Sequence, residues 1–132
     1  MPTPTPVLLT DRAGTPVVHT YIPTFRDNGV VTFAERDGVP IGDNKLTISL
    51  KKTQAGRYNF TAKLVLPQTV TQTVNSVDSE VVTRVAYADI RLSFDASSTS
   101  QERDDAIGLI TSALDPAQSE MIAVSRDLES FY

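Results

Sequence analysis

The chain has 132 residues, 40% of them hydrophobic and 21% charged, with a formal net charge of −4. That is the size and composition of one folded domain, and it excludes wholesale disorder. With no cysteine and one histidine, disulfide scaffolds, thiol nucleophiles and Cys- or multi-His metal sites are excluded, and little is left for Ser-His-Asp chemistry.

No apolar run approaches the roughly 20 residues of a membrane span, and the start, MPTPTPVLLT, lacks the basic stretch of a signal peptide. Met1 to Pro6 alternates proline with threonine, which favours an extended arm. Val7–Thr10 and Val17–Ile22 flank a Gly14-containing turn and predict a β-hairpin that Pro23 ends. Asn28-Gly29 is a turn signal that leads into a third strand over Val30–Glu35, and Asp37-Gly38 leads out of it. Gly38–Gly42 (GVPIG) lacks the spacing and the lysine of a phosphate-binding loop.

The middle of the chain has strict period two. Over Lys45–Thr53 the odd positions are Lys45, Thr47, Ser49, Lys51 and Thr53, and the even ones include Leu46, Ile48 and Leu50. Over Arg57–Leu66 the odd positions include Arg57, Asn59, Thr61 and Lys63, opposite an even set of Tyr58, Phe60, Ala62, Leu64 and Leu66. Such alternation marks half-buried antiparallel strands, and Gln54-Ala55-Gly56 is short enough to join them as a hairpin. Residues 68–80, polar and rich in Thr, Val and Ser, are expected to form a loop. A long strand follows over Val81–Phe94, with Tyr87, Asp89 and Arg91 on its odd face.

Thr99 followed by Glu102 is a capping box that opens a helix with Ala106, Ile107, Ile110, Ala113 and Leu114 along one side. Asp115-Pro116 should stop it and start another, with Asp115 as the cap. Strands first and two helices last predict an α+β domain, its helices covering the apolar side of an antiparallel sheet. The other side, bearing Lys45, Thr47, Ser49, Lys51, Thr61, Lys63, Tyr87 and Asp89, is then left wet.

Charge is unevenly divided. Residues 44–77 carry five bases and no acid, whereas residues 95–132 carry eight acids and two bases. A basic middle beside an acidic tail suggests one face for polyanions and another for solvent. Lysine, threonine and serine also suit any wet strand. As a binding surface, though, the face would serve single-stranded or hairpin RNA: lysines for phosphates, hydroxyls and Asn59 for base edges, Tyr87 for stacking. His19 has no second ligand nearby in sequence and reads as a surface or packing residue. Glu102, Asp104 and Asp105 fall in a helix first turn, where carboxylates complement the dipole. No enzyme signature, metal site or cofactor motif remains.

In order along the chain come an N-terminal hairpin, Gly38-Val39-Pro40 before Lys45–Leu50, Arg57-Tyr58 opening a strand that ends at Pro67, and Thr71–Val74. Val82–Asp89, Ser98-Thr99 with Glu102-Arg103, and a terminal Tyr132 complete the series. Taken together the chain resembles the coat proteins of single-stranded RNA bacteriophages, the levivirus type. The resemblance implies a single coat-protein domain over 1–132, with arm and hairpin over 1–24, an approximately five-stranded sheet over 30–94 including loop 68–80, and helices over 99–132.

It further implies homodimers with a continuous sheet, each subunit's helices packing over its partner. These assemble into an icosahedral T=3 shell in the virion, with the sheet facing the genome. Assembly would occur in the host bacterial cytoplasm, with viral single-stranded RNA and a maturation protein as partners and no membrane. Loop 68–80 resembles the family's variable loop, without the cysteines that cross-link it in some relatives.

The resemblance also implies binding of an RNA hairpin operator that represses replicase translation. Thr47, Ser49, Thr61 and Lys63 resemble the pockets for unpaired adenines, Tyr87 the stacking aromatic, and Lys45 and Lys51 phosphate contacts. Val30 lines a pocket in a looser alignment, and Asp89 stands where some members have asparagine. The alternative from the residues alone is a soluble α+β ligand-binding or inhibitory module whose polar sheet is merely solvated.

Overall fold

The computed structural model describes residues 4–36 and 42–131. Asp37–Ile41, with the Asp37-Gly38 turn signal and Gly38-Val39-Pro40, and Tyr132 lie outside the described residues, as do Met1–Thr3. The chain divides into two compact units, residues 1–93 and 94–132.

The first unit is a meander of six strands in the order β1-β2-β3-β4-β5-β6. They are β1 (Val7–Thr10), β2 (Val18–Asp27), β3 (Val30–Glu35), β4 (Asn44–Lys52), β5 (Arg57–Val74) and β6 (Val77–Asp95). Two tight turns set the register. Asn28 and Gly29 have φ of 46° and 80°, the left-handed pair that a two-residue hairpin needs and that glycine adopts without strain. At the β4–β5 turn, Gly56 has φ of 85°, and Thr53 N donates to Arg57 O at 2.7 Å.

β4 and β5 pair as their alternation requires: Leu46 lies opposite Leu64 and Ile48 opposite Ala62 on one face, Thr47 opposite Lys63 and Ser49 opposite Thr61 on the other. On the apolar face Tyr21, Phe33 and Leu46 form the buried core, with Val7, Val31, Ile48 and Leu64 packed against it.

The expectation that Pro23 ends the second strand is corrected. β2 continues to Asp27, pairing with β1 through its first half and with β3 through its second. The register shifts between Pro23 and Phe25. Proline cannot donate to a ladder, and a bulge is where a strand tolerates that loss.

Residues 68–80 are likewise strand rather than loop. β5 and β6 run on to a turn at Asn75 and Ser76, whose φ values of 53° and 64° are both left-handed. Thr71 Oγ1 donates to Glu80 at 2.7 Å and Thr73 Oγ1 donates to Asp78 at 2.5 Å. β-Branched residues favour the extended chain. The last β4 pairing on β5 is at Val65, so the ribbon beyond has no β4 beside it; Val70, Val74 and Val77 are exposed and no buried side imposes a hydrophobic alternation. Pro67 stands just past that pairing, where a missing donor costs least.

His19, expected to be a surface or packing residue, is half-buried and clasped between two carboxylates. Its Nε2 lies 2.7 Å from Asp11 Oδ2 and its Nδ1 2.7 Å from Glu35 Oε2. Asn44 donates to the other Glu35 oxygen at 2.8 Å, and Asp11 accepts the backbone N–H groups of Ala13 and Val17. Both ring nitrogens meet carboxylates, so only the imidazolium donates to both. Hydrogen bonds to Asp11 and then Glu35 raise the His19 pKa above 6.5, and the bond from His19 holds Asp11 down at about 2 rather than 3.8.

The stabilisation from Asp11 is present above 3.8 and lost as pH falls through about 2; that from His19 is present below 6.5 and lost as pH rises through its raised value. The clasp is partly solvated, so the effect is modest. The difference in melting temperature between the native chain and His19→Gln should be largest near pH 5–6 and shrink toward pH 9. A difference independent of pH would show that the clasp does not form.

The second unit holds α1 (Ser100–Ala113) and α2 (Ser119–Ser125). The Thr99–Glu102 capping box is present in both directions. The expected start of α2 at Asp115-Pro116 is corrected: Asp115 Oδ1 accepts from Ala117 N at 2.9 Å and Gln118 N donates to Asp115 O, closing a turn. The helix then begins at Ser119, after Gln118. An aspartate that bonds two residues on is as much a turn signal as a cap. Neither helix has a buried residue.

Candidate nucleic-acid interface

The ladder that puts Leu46 and Leu64 in the core puts the sequence-predicted residues on the opposite face. Lys45, Thr47, Ser49 and Lys51 lie opposite Val65, Lys63, Thr61 and Asn59. β3 extends this face, with Ala34, Thr32 and Val30 opposite Lys45, Thr47 and Ser49, which places Val30 beside the expected pockets. Lys45, Lys51 and Lys63 are exposed; Thr47, Ser49, Asn59 and Thr61 are half-buried.

Two hollows join β6 to this surface. One, of about 480 Å³, is lined by Ser49, Lys51, Asn59, Thr61, Lys63, Asp89, Ile90 and Arg91. The other, of about 280 Å³, is lined by Asp43, Lys45, Val65, Pro67, Val82, Val85 and Tyr87. All nine expected residues are therefore brought together, seven by strand register and Tyr87 and Asp89 by the hollows. Tyr87 is 73% exposed, an aromatic residue at the margin of a basic surface.

In the first hollow Lys51, Lys63 and Arg91 outnumber the single acid Asp89. Such a surface attracts phosphate and tolerates a base edge. Among the described residues, the side chains of Thr47, Ser49, Asn59 and Thr61 make no hydrogen bond, so their donors and acceptors are available to a ligand. Lys52, at the frayed end, lies over the Tyr58 ring at 5.5 Å from its centroid. No group of three or more His, Asp or Glu among the described residues could hold a metal ion.

Two members of this surface were missed from sequence. Arg91 follows from its parity with Tyr87 and Asp89. Phe25, 63% exposed, lies opposite Thr32 and hence on this face; only the bulge brings it there, and a proline inside a strand was the available signal.

The Levivirus coat protein family model matches residues 2–132. The chain belongs to the levivirus coat protein family. It is 46% identical to the capsid protein of Pseudomonas phage PRR1 over 109 residues, 82% of each chain. Its fold matches the virus-like particle of bacteriophage ESE058 with a TM-score of 0.87 at 22% identity, over 99% of this chain and 100% of that one. The bacteriophage GA protein capsid matches with a TM-score of 0.82 at 25% identity, over 97% of each chain. The coat protein is thus a structural capsid subunit of the virion, and the reading as a ligand-binding or inhibitory module is set aside. The six-stranded antiparallel sheet with two helices is the fold of these neighbours.

Proposed function

We propose that the coat protein uses the polar sheet face to bind single-stranded RNA, packaging the genome and holding a hairpin operator that represses replicase translation. The observation that carries this reading is the row of unengaged hydroxyl and amide side chains, Thr47, Ser49, Asn59 and Thr61, set among exposed lysines on one open face. Lysines neutralise phosphates, half-buried hydroxyls and Asn59 meet base edges, and the Tyr87 ring stacks on an unpaired base. Homodimer formation fits the sheet order: β6 is terminal, with a neighbour only on its β5 side, and a long unpaired edge is a template for a second copy. Such dimers are the units that build the shell, assembled in the bacterial cytoplasm around the RNA.

Expression of the chain alone, followed by electron microscopy and the 260/280 nm absorbance ratio, tests shell formation and packaged RNA together. Closed particles rich in RNA are expected; a monomer or small oligomer free of RNA would overturn the proposal. Lys63→Ala should weaken hairpin binding and shallow its salt dependence by about one counterion. An unchanged salt slope would remove Lys63 from the phosphate contacts.

A further inference from the structure

Four residues on successive strands lie in one cross-strand row on the polar face: Phe25 opposite Thr32, Thr32 opposite Thr47, Thr47 opposite Lys63. At the usual strand spacing the row runs roughly 14 Å from β2 to β5. Tyr87, also exposed, is on β6, the strand next to β5 in the sheet. Phe25 closes the near end and is 63% exposed.

That exposure is imposed by the backbone. Pro23 lies opposite Phe33 on the core side, and two residues further along a regular strand Phe25 would share that side. The bulge re-aims it to the open face, and Thr24 Oγ1, donating to Thr32 O at 3.2 Å, ties the displaced residue down. A large apolar ring is thereby withheld from the core and set level with hydroxyls and a lysine. Asp27, exposed on the same face opposite Val30, would repel a phosphate close by, so the ring fits a base and not the backbone.

We infer that Phe25 is a second stacking platform, receiving an unpaired base of the RNA whose other bases and phosphates meet the Tyr87 side of the sheet. This rests on the RNA reading above and extends the footprint across the sheet, to its β2 margin. The competing occupant is a neighbouring coat protein, because Ile22 on the same face is also exposed.

The chain contains no tryptophan, so Phe25→Trp creates a single indole reporter. Unassembled subunits of this variant are titrated with an end-labelled single-stranded oligoadenylate while anisotropy of the label reports total binding. Binding accompanied by at least twofold quenching of the indole is the expected result. Binding with an unchanged indole overturns the Phe25 assignment and leaves the RNA reading intact. An emission change that requires shell formation and not RNA assigns the ring to a protein contact and also overturns it. Absence of any binding removes both readings. In the otherwise native chain, Phe25→Ala should lose about 5- to 150-fold in affinity and Phe25→Tyr should keep it.

Discussion

Phe33→Ala is expected to destabilise the subunit by about 3–5 kcal/mol, the range for deleting a buried phenylalanine. Phe33 is 5% exposed at the centre of β3, opposite Leu46 on one side and Pro23 on the other. It touches a core with few other members: among the described residues only Tyr21, Ala34 and Leu46 are comparably buried hydrophobics, and Ala34 lies on the opposite face. A core this small has little with which to fill the cavity, so relaxation recovers little of the loss. Set against a typical total of about 5–15 kcal/mol, the substitution should sharply reduce soluble yield and lower the thermal transition of whatever shells form. Native-like yield and melting would mean that the stabilising contacts lie elsewhere, between subunits.

Tyr87→Ala should weaken binding of a hairpin RNA by about 1–3 kcal/mol, the worth of one stacked base, or about 5- to 150-fold in affinity. The ring is exposed and belongs to no part of the core, so the melting temperature should not follow. Tyr87→Phe keeps the π-face and should keep most of the affinity, which separates stacking from a hydrogen bond through the hydroxyl. Gel-shift titration at fixed salt measures all three. Equal affinities would show that no base stacks at Tyr87.

The two faces of the central hairpin were legible because parity divides most side chains of Lys45–Leu50 and Asn59–Leu66 between the core side and the wet one; only near the turn, at Leu50, Lys52 and Tyr58, is the apolar parity exposed. The same logic reached seven of the nine site residues without knowledge of the turns, and Tyr87 and Asp89 followed from parity in the last strand. It failed where burial stops writing the pattern. Gln68–Val74 looks like loop because, Thr69 apart, it is exposed, although its threonines and valines prefer the extended backbone. Pro23 reads as a terminator, yet a bulge absorbs its missing donor and turns Phe25 over. Asp11, eight residues away across the first hairpin, and Glu35, sixteen away on β3, become partners of His19 only once the strands pair.

The length of β5 and β6 beyond the end of β4 separates two mechanical regimes within one pair of strands. Up to Val65 each residue of β5 is held from both sides; past it the pair is held only by itself and by threonine–carboxylate links at its rim. An isolated two-stranded ribbon is marginally stable, and opening it from the tip leaves the neighbouring pairings untouched. The tip can therefore be remoulded by whatever surrounds it, copy by copy, while the polar floor of the sheet keeps one geometry in every copy. A lattice can vary at its joints without disturbing the surface between them.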